Sequence, residues 1–139
     1  MAQQSEAVLV MNIISLHSKI QKRIGGGLSV HGVGLSEYLV LHQLFLARGQ
    51  KMRRVDLAEQ VGLSPSGITR LLNPMEKIGL IDKEPNPRDA RVSFVALSAS
   101  GLRVYEESTK AFEFSSKRLF ESLDSKQLST FSALVGAVV

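Results

Sequence analysis

The chain contains no cysteine. Disulfides, thiolate nucleophiles, thiol redox sensing and cysteine-ligated zinc are therefore excluded. The absence is compatible with a cytoplasmic location, which is the expected one. No apolar run approaches the roughly 18 residues that a membrane-spanning helix needs, so no membrane partner is expected. The opening MAQQSEAV has no basic segment ahead of an apolar one, and no secretory signal is expected. The three histidines, His17, His31 and His42, lie in separate segments without ligand spacing, so no metal site is expected. No phosphate-binding glycine loop, nucleophile elbow or HExxH is present, and Ser, His and Asp form no local triad. Gly25-Gly26-Gly27 follows no strand pattern and reads as a linker. No catalytic residue and no cofactor is expected, and the chain does not read as an enzyme. Internal repeats and low-complexity tracts are also lacking.

What is present is an ordinary globular balance. The 139 residues suit one domain or one compact subunit. Hydrophobic residues make up 44% and charged residues 22%, which argues against disorder. The net charge of +4 and the pI of about 9.6 permit a polyanionic partner without demanding one.

The pattern is mainly helical. Val8, Leu9, Ile13, Leu16, Ile20 and Ile24 predict a helix over 6–24, ended by the three glycines. A second helix follows Ser36, carries Tyr38, Leu39, Leu41, Leu44, Phe45 and Leu46, and closes at Arg48-Gly49. Residues 53–61 and 65–78 read as a helix-turn-helix ending at Gly79. Ala58 stands where the two helices must pass closely, and Gly62 where the chain leaves the first. Leu57, Val61, Leu63, Ile68 and Leu71 can share one small core. Ser64 is a favoured N-cap, and Pro65 is preset for the first helical position. Leu80–Glu84 and Val92–Leu97 read as strands around a polar turn of residues 85–91, which makes a wing. Ser98 caps a long helix from about Ala99 to Leu123, and Asp124 or Ser125 begins the last one.

Two helices joined by a short turn with glycine form a DNA-binding motif whose second helix is offered to the major groove. In that helix Ile68, Leu71, Leu72 and Met75 follow the helical period and face inward. Ser66, Gly67, Thr69, Arg70 and Asn73 are left facing outward. Arg70 can span guanine O6 and N7. Ser64, Ser66 and the first-turn amides can hold a phosphate. Pro74 removes a bond to the Arg70 carbonyl, so a kink or a displaced last turn is expected there. In the wing, Arg88 and Arg91 flank Asp89. The arginines suit a narrow minor groove, and Asp89 suits an Asx-type turn or an ion pair that holds the loop. Lys51, Arg53 and Arg54, read as opening the first helix of the motif, are phosphate-contact candidates.

The run from Gly34 to Gly101 resembles the MarR family of winged-helix bacterial transcription regulators. The likeness lies in Gly34-Leu35-Ser36 with Tyr38, in Leu57-Ala58 with Val61-Gly62-Leu63-Ser64, and in Thr69-Arg70-Leu71-Leu72 with Glu76 and Gly79-Leu80-Ile81. Its most specific part is Asp89-x-Arg91 with Val95-x-Leu97-Ser98-x-x-Gly101. Asn73-Pro74 departs from the family's pattern. The resemblance implies that Asp89 braces the wing, that Arg91 and Arg88 meet the minor groove, and that the terminal helices make a homodimer. It also implies a repressor released by a small aromatic effector.

The expected fold is thus mainly α with a small β-wing. A dimerisation helix over 1–29 precedes a winged helix-turn-helix over 30–98, and dimerisation helices over 99–139 follow. The expected function is a homodimeric regulator on pseudo-palindromic duplex DNA. Two alternatives share the fold. A metal-responsive regulator requires histidines and carboxylates to converge in space. A winged-helix protein-interaction module without DNA binding has no need of the basic wing.

Overall fold

The structure, a computed structural model, describes residues 5–139. Its elements are α1 (Glu6–Ser29), α2 (Leu35–Leu46), β1 (Lys51–Arg53), α3 (Arg54–Val61), α4 (Pro65–Lys77), β2 (Ile81–Asn86), β3 (Asp89–Leu97), α5 (Ala99–Leu119) and α6 (Ser125–Val138). No described helix is long and apolar enough to cross a membrane.

The helix starts follow from side-chain caps. Ser5, Ser64, Ser98 and Asp124 each accept a hydrogen bond from the backbone N–H three residues on. At α2 the cap is Gly34, and its N–H donates to Glu37 Oε1 at 2.7 Å, so the helix opens one residue before Ser36. Gly62 closes α3 at φ 73°, a left-handed conformation that costs glycine little. α4 stays helical through Pro74, and the Ile78 N–H reaches the Pro74 carbonyl at 3.1 Å.

Several expectations are corrected. First, the glycine triplet does not end α1, which continues to Ser29. Ile24 and Leu28, one turn apart across the triplet, are 2% and 0% exposed. Burying two such side chains gains roughly 3–6 kcal/mol. Three helical glycines cost about 3 kcal/mol against alanine, so the helix persists. Gly27 also lets α5 approach, since a Cβ there would meet Ser115 Oγ at 2.6 Å. Second, the segment before α3 is strand β1, so Lys51 and Arg53 do not open a helix; Arg53 is its N-cap and Arg54 its first residue. Three residues are too few to show alternation, and β1 exists because it pairs antiparallel with β3, Met52 opposite Val95. Third, the wing strands reach further than expected, leaving only Pro87-Arg88 as the turn. Pro85 fits because β2 is an edge strand in the order β1-β3-β2, and the register shifts between Pro85 and Asn86. The long helix α5 also stops short of Leu123, at Leu119.

One core joins these elements. Leu28, Val40, Leu41, Leu44, Leu57, Ile68, Leu72 and Met75 are its most buried members. It also draws on Ile24 from α1 and Tyr105 from α5. Gly101 is fixed by packing, because a Cβ there would collide with the Leu80 carbonyl oxygen. Ser98 Oγ donates to the Gly79 carbonyl and accepts from the Gly101 N–H, which ties the end of α4 to the start of α5.

Candidate nucleic-acid interface

Helix α4 has two faces. Ile68, Leu72 and Met75 are buried and Leu71 is half-buried, while Ser66, Arg70 and Asn73 are exposed. The core contacts of α3 and α4 thus fix the outward row 66, 70, 73 on one side of the molecule. Two expected outward residues are only half-buried, and each has a structural task. The Gly67 N–H donates to Ser64 Oγ at 3.1 Å, and a Cβ at Gly67 would lie 3.1 Å from that same oxygen. Glycine keeps this cap tight. Thr69 Oγ1 donates to the Pro65 carbonyl at 3.0 Å and accepts from Arg54 Nη1 at 2.6 Å. Ser64 Oγ also lies 3.3 Å from Ser66 Oγ.

The wing stands beside this helix. Asp89 Oδ1 accepts from the Arg91 N–H at 3.0 Å and from Arg91 Nε at 3.1 Å, while Arg91 Nη2 donates to Oδ2 at 3.4 Å. Asp89 therefore holds Arg91 by both an Asx-type turn and an ion pair. The bond from the Arg91 side chain, then the one from its N–H, lowers the Asp89 carboxyl below its ordinary value. Arg91 sits on β3 rather than at the tip. Arg88 occupies the turn, where its N–H donates to Asn86 Oδ1 at 2.9 Å.

Between α3, α4 and the wing lies a crevice of about 290 Å³, rimmed by Arg53, Arg54 and Arg91 and walled by Val55, Pro65 and Val92. The phosphate-contact candidates all have partners. Lys51 Nζ lies 3.9 Å from Glu84 Oε2 and 5.4 Å from the Phe94 ring centre. Arg53 makes a two-pronged pair with Asp56, at 3.0 and 3.3 Å. That bond raises the Arg53 value and lowers the Asp56 one. Exposed ion pairs of this kind are weak in water, so an incoming phosphate can exchange for the carboxylate. No hydrogen bond to the Arg70 or Arg88 guanidinium occurs among the described residues.

Two further features stand outside the reading face, the first unforeseen in the sequence and the second built from the apolar stripes expected on the terminal helices. One is an aromatic stack between α2 and α5. Tyr38 lies over Phe112 with ring centres 4.8 Å apart and over Tyr105 at 5.4 Å. The Tyr38 hydroxyl lies 2.8 Å from Thr109 Oγ1, and the Tyr105 hydroxyl lies 2.7 Å from His42 Nδ1. Burial raises the Tyr38 phenol above its ordinary value. The spacing Tyr38–His42 and Tyr105–Thr109–Phe112 put each set on one helical face, which was the available signal. The second is an open apolar groove of about 910 Å³ between α1 and α6, lined by Leu9, Ile13, Leu16, Phe131, Leu134 and Val138. His17 lines this groove, His31 lies in the turn after α1, and His42 lies in the stack. No group of three or more metal-ligating side chains occurs among the described residues.

Known proteins share this fold. Residues 34–93 match the MarR family. The HTH-type transcriptional regulator PrsX of Escherichia coli is 22% identical over 129 residues, covering 93% of this chain and 78% of that protein. The uncharacterized HTH-type transcriptional regulator YwhA of Bacillus subtilis is 32% identical over 80 residues, 58% of each. A mutant MarR of Escherichia coli complexed with operator DNA superposes with a TM-score of 0.86 at 21% identity, over 94% of this chain and 93% of that one. A MarR family regulator of Streptomyces coelicolor in complex with DNA gives 0.86 at 18% identity, over 99% and 89%. Residues 34–93, the winged helix with the start of its wing, match the MarR family, and the superpositions show the fold of its regulators.

Proposed function

We propose that this chain is a homodimeric, sequence-specific transcriptional regulator that binds double-stranded DNA. The observation that carries the reading is the outward row Ser66, Arg70 and Asn73 of α4, set beside a wing bearing Arg88 and Arg91. The helix enters the major groove, where Arg70 addresses a base edge. Arg88 and Arg91 approach the adjacent minor groove, while Lys51, Arg53 and Ser64 contact phosphates and set the register. The likeness to structures in complex with DNA supports the same reading.

Dimerisation is supported by the groove between α1 and α6. Patches of this extent on a water-facing surface mark protein contacts. A second copy supplies the same helices and covers the groove by two-fold symmetry. Two α4 helices then face successive major grooves, about 34–36 Å apart. In this reading the chain represses, and a small aromatic effector releases it. Tyr38, Tyr105 and Phe112 support an effector of that class, because a planar ring can replace one member of the stack between α2 and α5. The effector must favour the spacing that cannot bind DNA.

Selection of bound duplexes from a random pool, at stated salt, tests the reading. The expected product is a pseudo-palindrome with half-site centres about 10 base pairs apart. A pool that shows no enrichment contradicts it.

A further inference from the structure

The hydroxyl of Thr69 is committed inside the protein. A threonine hydroxyl has one proton to donate and two lone pairs. Its proton goes to the Pro65 carbonyl at 3.0 Å, one helical turn back, and Arg54 Nη1 occupies a lone pair at 2.6 Å. These two bonds turn Oγ1 toward the helix backbone and α3 and fix the side-chain rotamer. Thr69 nevertheless sits on the reading helix, three residues after exposed Ser66 and four before exposed Asn73. One lone pair of Oγ1 stays open, but it belongs to the oxygen held toward the backbone and α3; the side chain's other group is the γ-methyl. In the major groove only thymine presents a methyl, and apolar contact with that methyl is how small side chains distinguish it.

We propose that Thr69 is a specificity-determining residue that reads thymine through its γ-methyl group, with Arg54 as the positioning residue that keeps the hydroxyl turned away. The inference rests on the DNA-binding reading above. It assigns Arg54 to the interior of the reading head rather than to a phosphate.

The test uses the duplex recovered by selection, with each thymidine replaced in turn by deoxyuridine, which removes only the C5 methyl. For the wild-type protein one thymine per half-site is expected to cost about fourfold in affinity, the equivalent of one apolar carbon withdrawn from water. Thr69→Val, which keeps the methyl, is expected to retain that penalty. Thr69→Ser, which keeps the hydroxyl, is expected to lose it. Arg54→Met is expected to shrink the penalty at the same thymine without changing the salt dependence of binding. The assignment of Thr69 is overturned if Thr69→Ser keeps the penalty, or if no thymine shows a Thr69-dependent one while the duplex still binds. The assignment of Arg54 is overturned if Arg54→Met keeps the penalty and lowers the salt slope by about one, as loss of a phosphate contact does. Failure of the protein to bind any selected duplex would instead remove the DNA-binding reading, and this inference with it.

Discussion

The reading head and the terminal layer are made from similar helices, yet they finish their folding differently. In the head, Leu57 and Ile68 are 0% exposed and Leu72 is 1% exposed. In the layer, Ile13 and Leu134 remain 52% and 63% exposed, and α6 buries no residue at all. The head satisfies its apolar stripes within one chain. The layer holds its helices at full length but leaves the apolar faces of α6 and of the first half of α1 to water, the state of an element waiting for a second surface. The same chain therefore carries a self-sufficient scaffold for the site and a layer whose apolar surface, on the proposed reading, a second copy covers.

The largest way to break this contrast is within the head. Leu72→Ala removes a fully packed side chain and is expected to cost about 2–5 kcal/mol, measured as loss of stability in denaturant. Next comes the layer. Ile13→Asp with Leu134→Asp is expected to leave the head folded while sedimentation shows a single chain. DNA affinity should then fall by roughly a hundredfold or more as the two heads become independent. Unchanged affinity in a monomeric variant would separate reading from dimerisation.

The joint between the regions gives a smaller, opposite effect. Gly26 has open space where a Cβ would stand, so Gly26→Ala is expected to stabilise by about 1 kcal/mol in thermal melts. Gly27→Ala, which meets Ser115 Oγ at 2.6 Å, is expected to lose that gain. The smallest effect lies at the wing. The bonds from Arg91 hold Asp89 below the ordinary carboxylate value. The stabilisation is therefore complete above that ordinary value of about 4 and disappears as pH falls through the lower folded one. Protection of the Arg91 amide and guanidinium protons, relative to their intrinsic exchange rates, should fall over that acid range, and Asp89→Asn should remove the guanidinium's protection at neutral pH.

Much of this architecture was legible because it is periodic or capped. The inward set of α4, the turn at Gly62 and the serines at 64 and 98 could be placed from residue type and spacing alone. The glycine triplet misled because local propensity is worth about 1 kcal/mol per residue, less than the burial of Ile24 and Leu28 on either side. Strand β1 was invisible because its reason to exist is β3, more than 40 residues away in sequence. The candidate site shows the same limit. Asp89 beside Arg91 is a two-residue relation and could be anticipated, whereas Arg54 against Thr69 depends on how α3 crosses α4. Residue type marked Thr69 as outward, but Arg54 as its hydroxyl's partner could only come from the assembled helices.

The central claim is that the outward row of α4 reads base pairs. Its most direct measurement is the affinity of Arg70→Ala, against wild type, for every single-base variant of the selected duplex. The predicted result is that discrimination disappears at one base pair per half-site, where a bidentate contact is worth roughly 1–3 kcal/mol, and persists elsewhere. An equal loss on every sequence would make Arg70 a phosphate clamp and contradict the account.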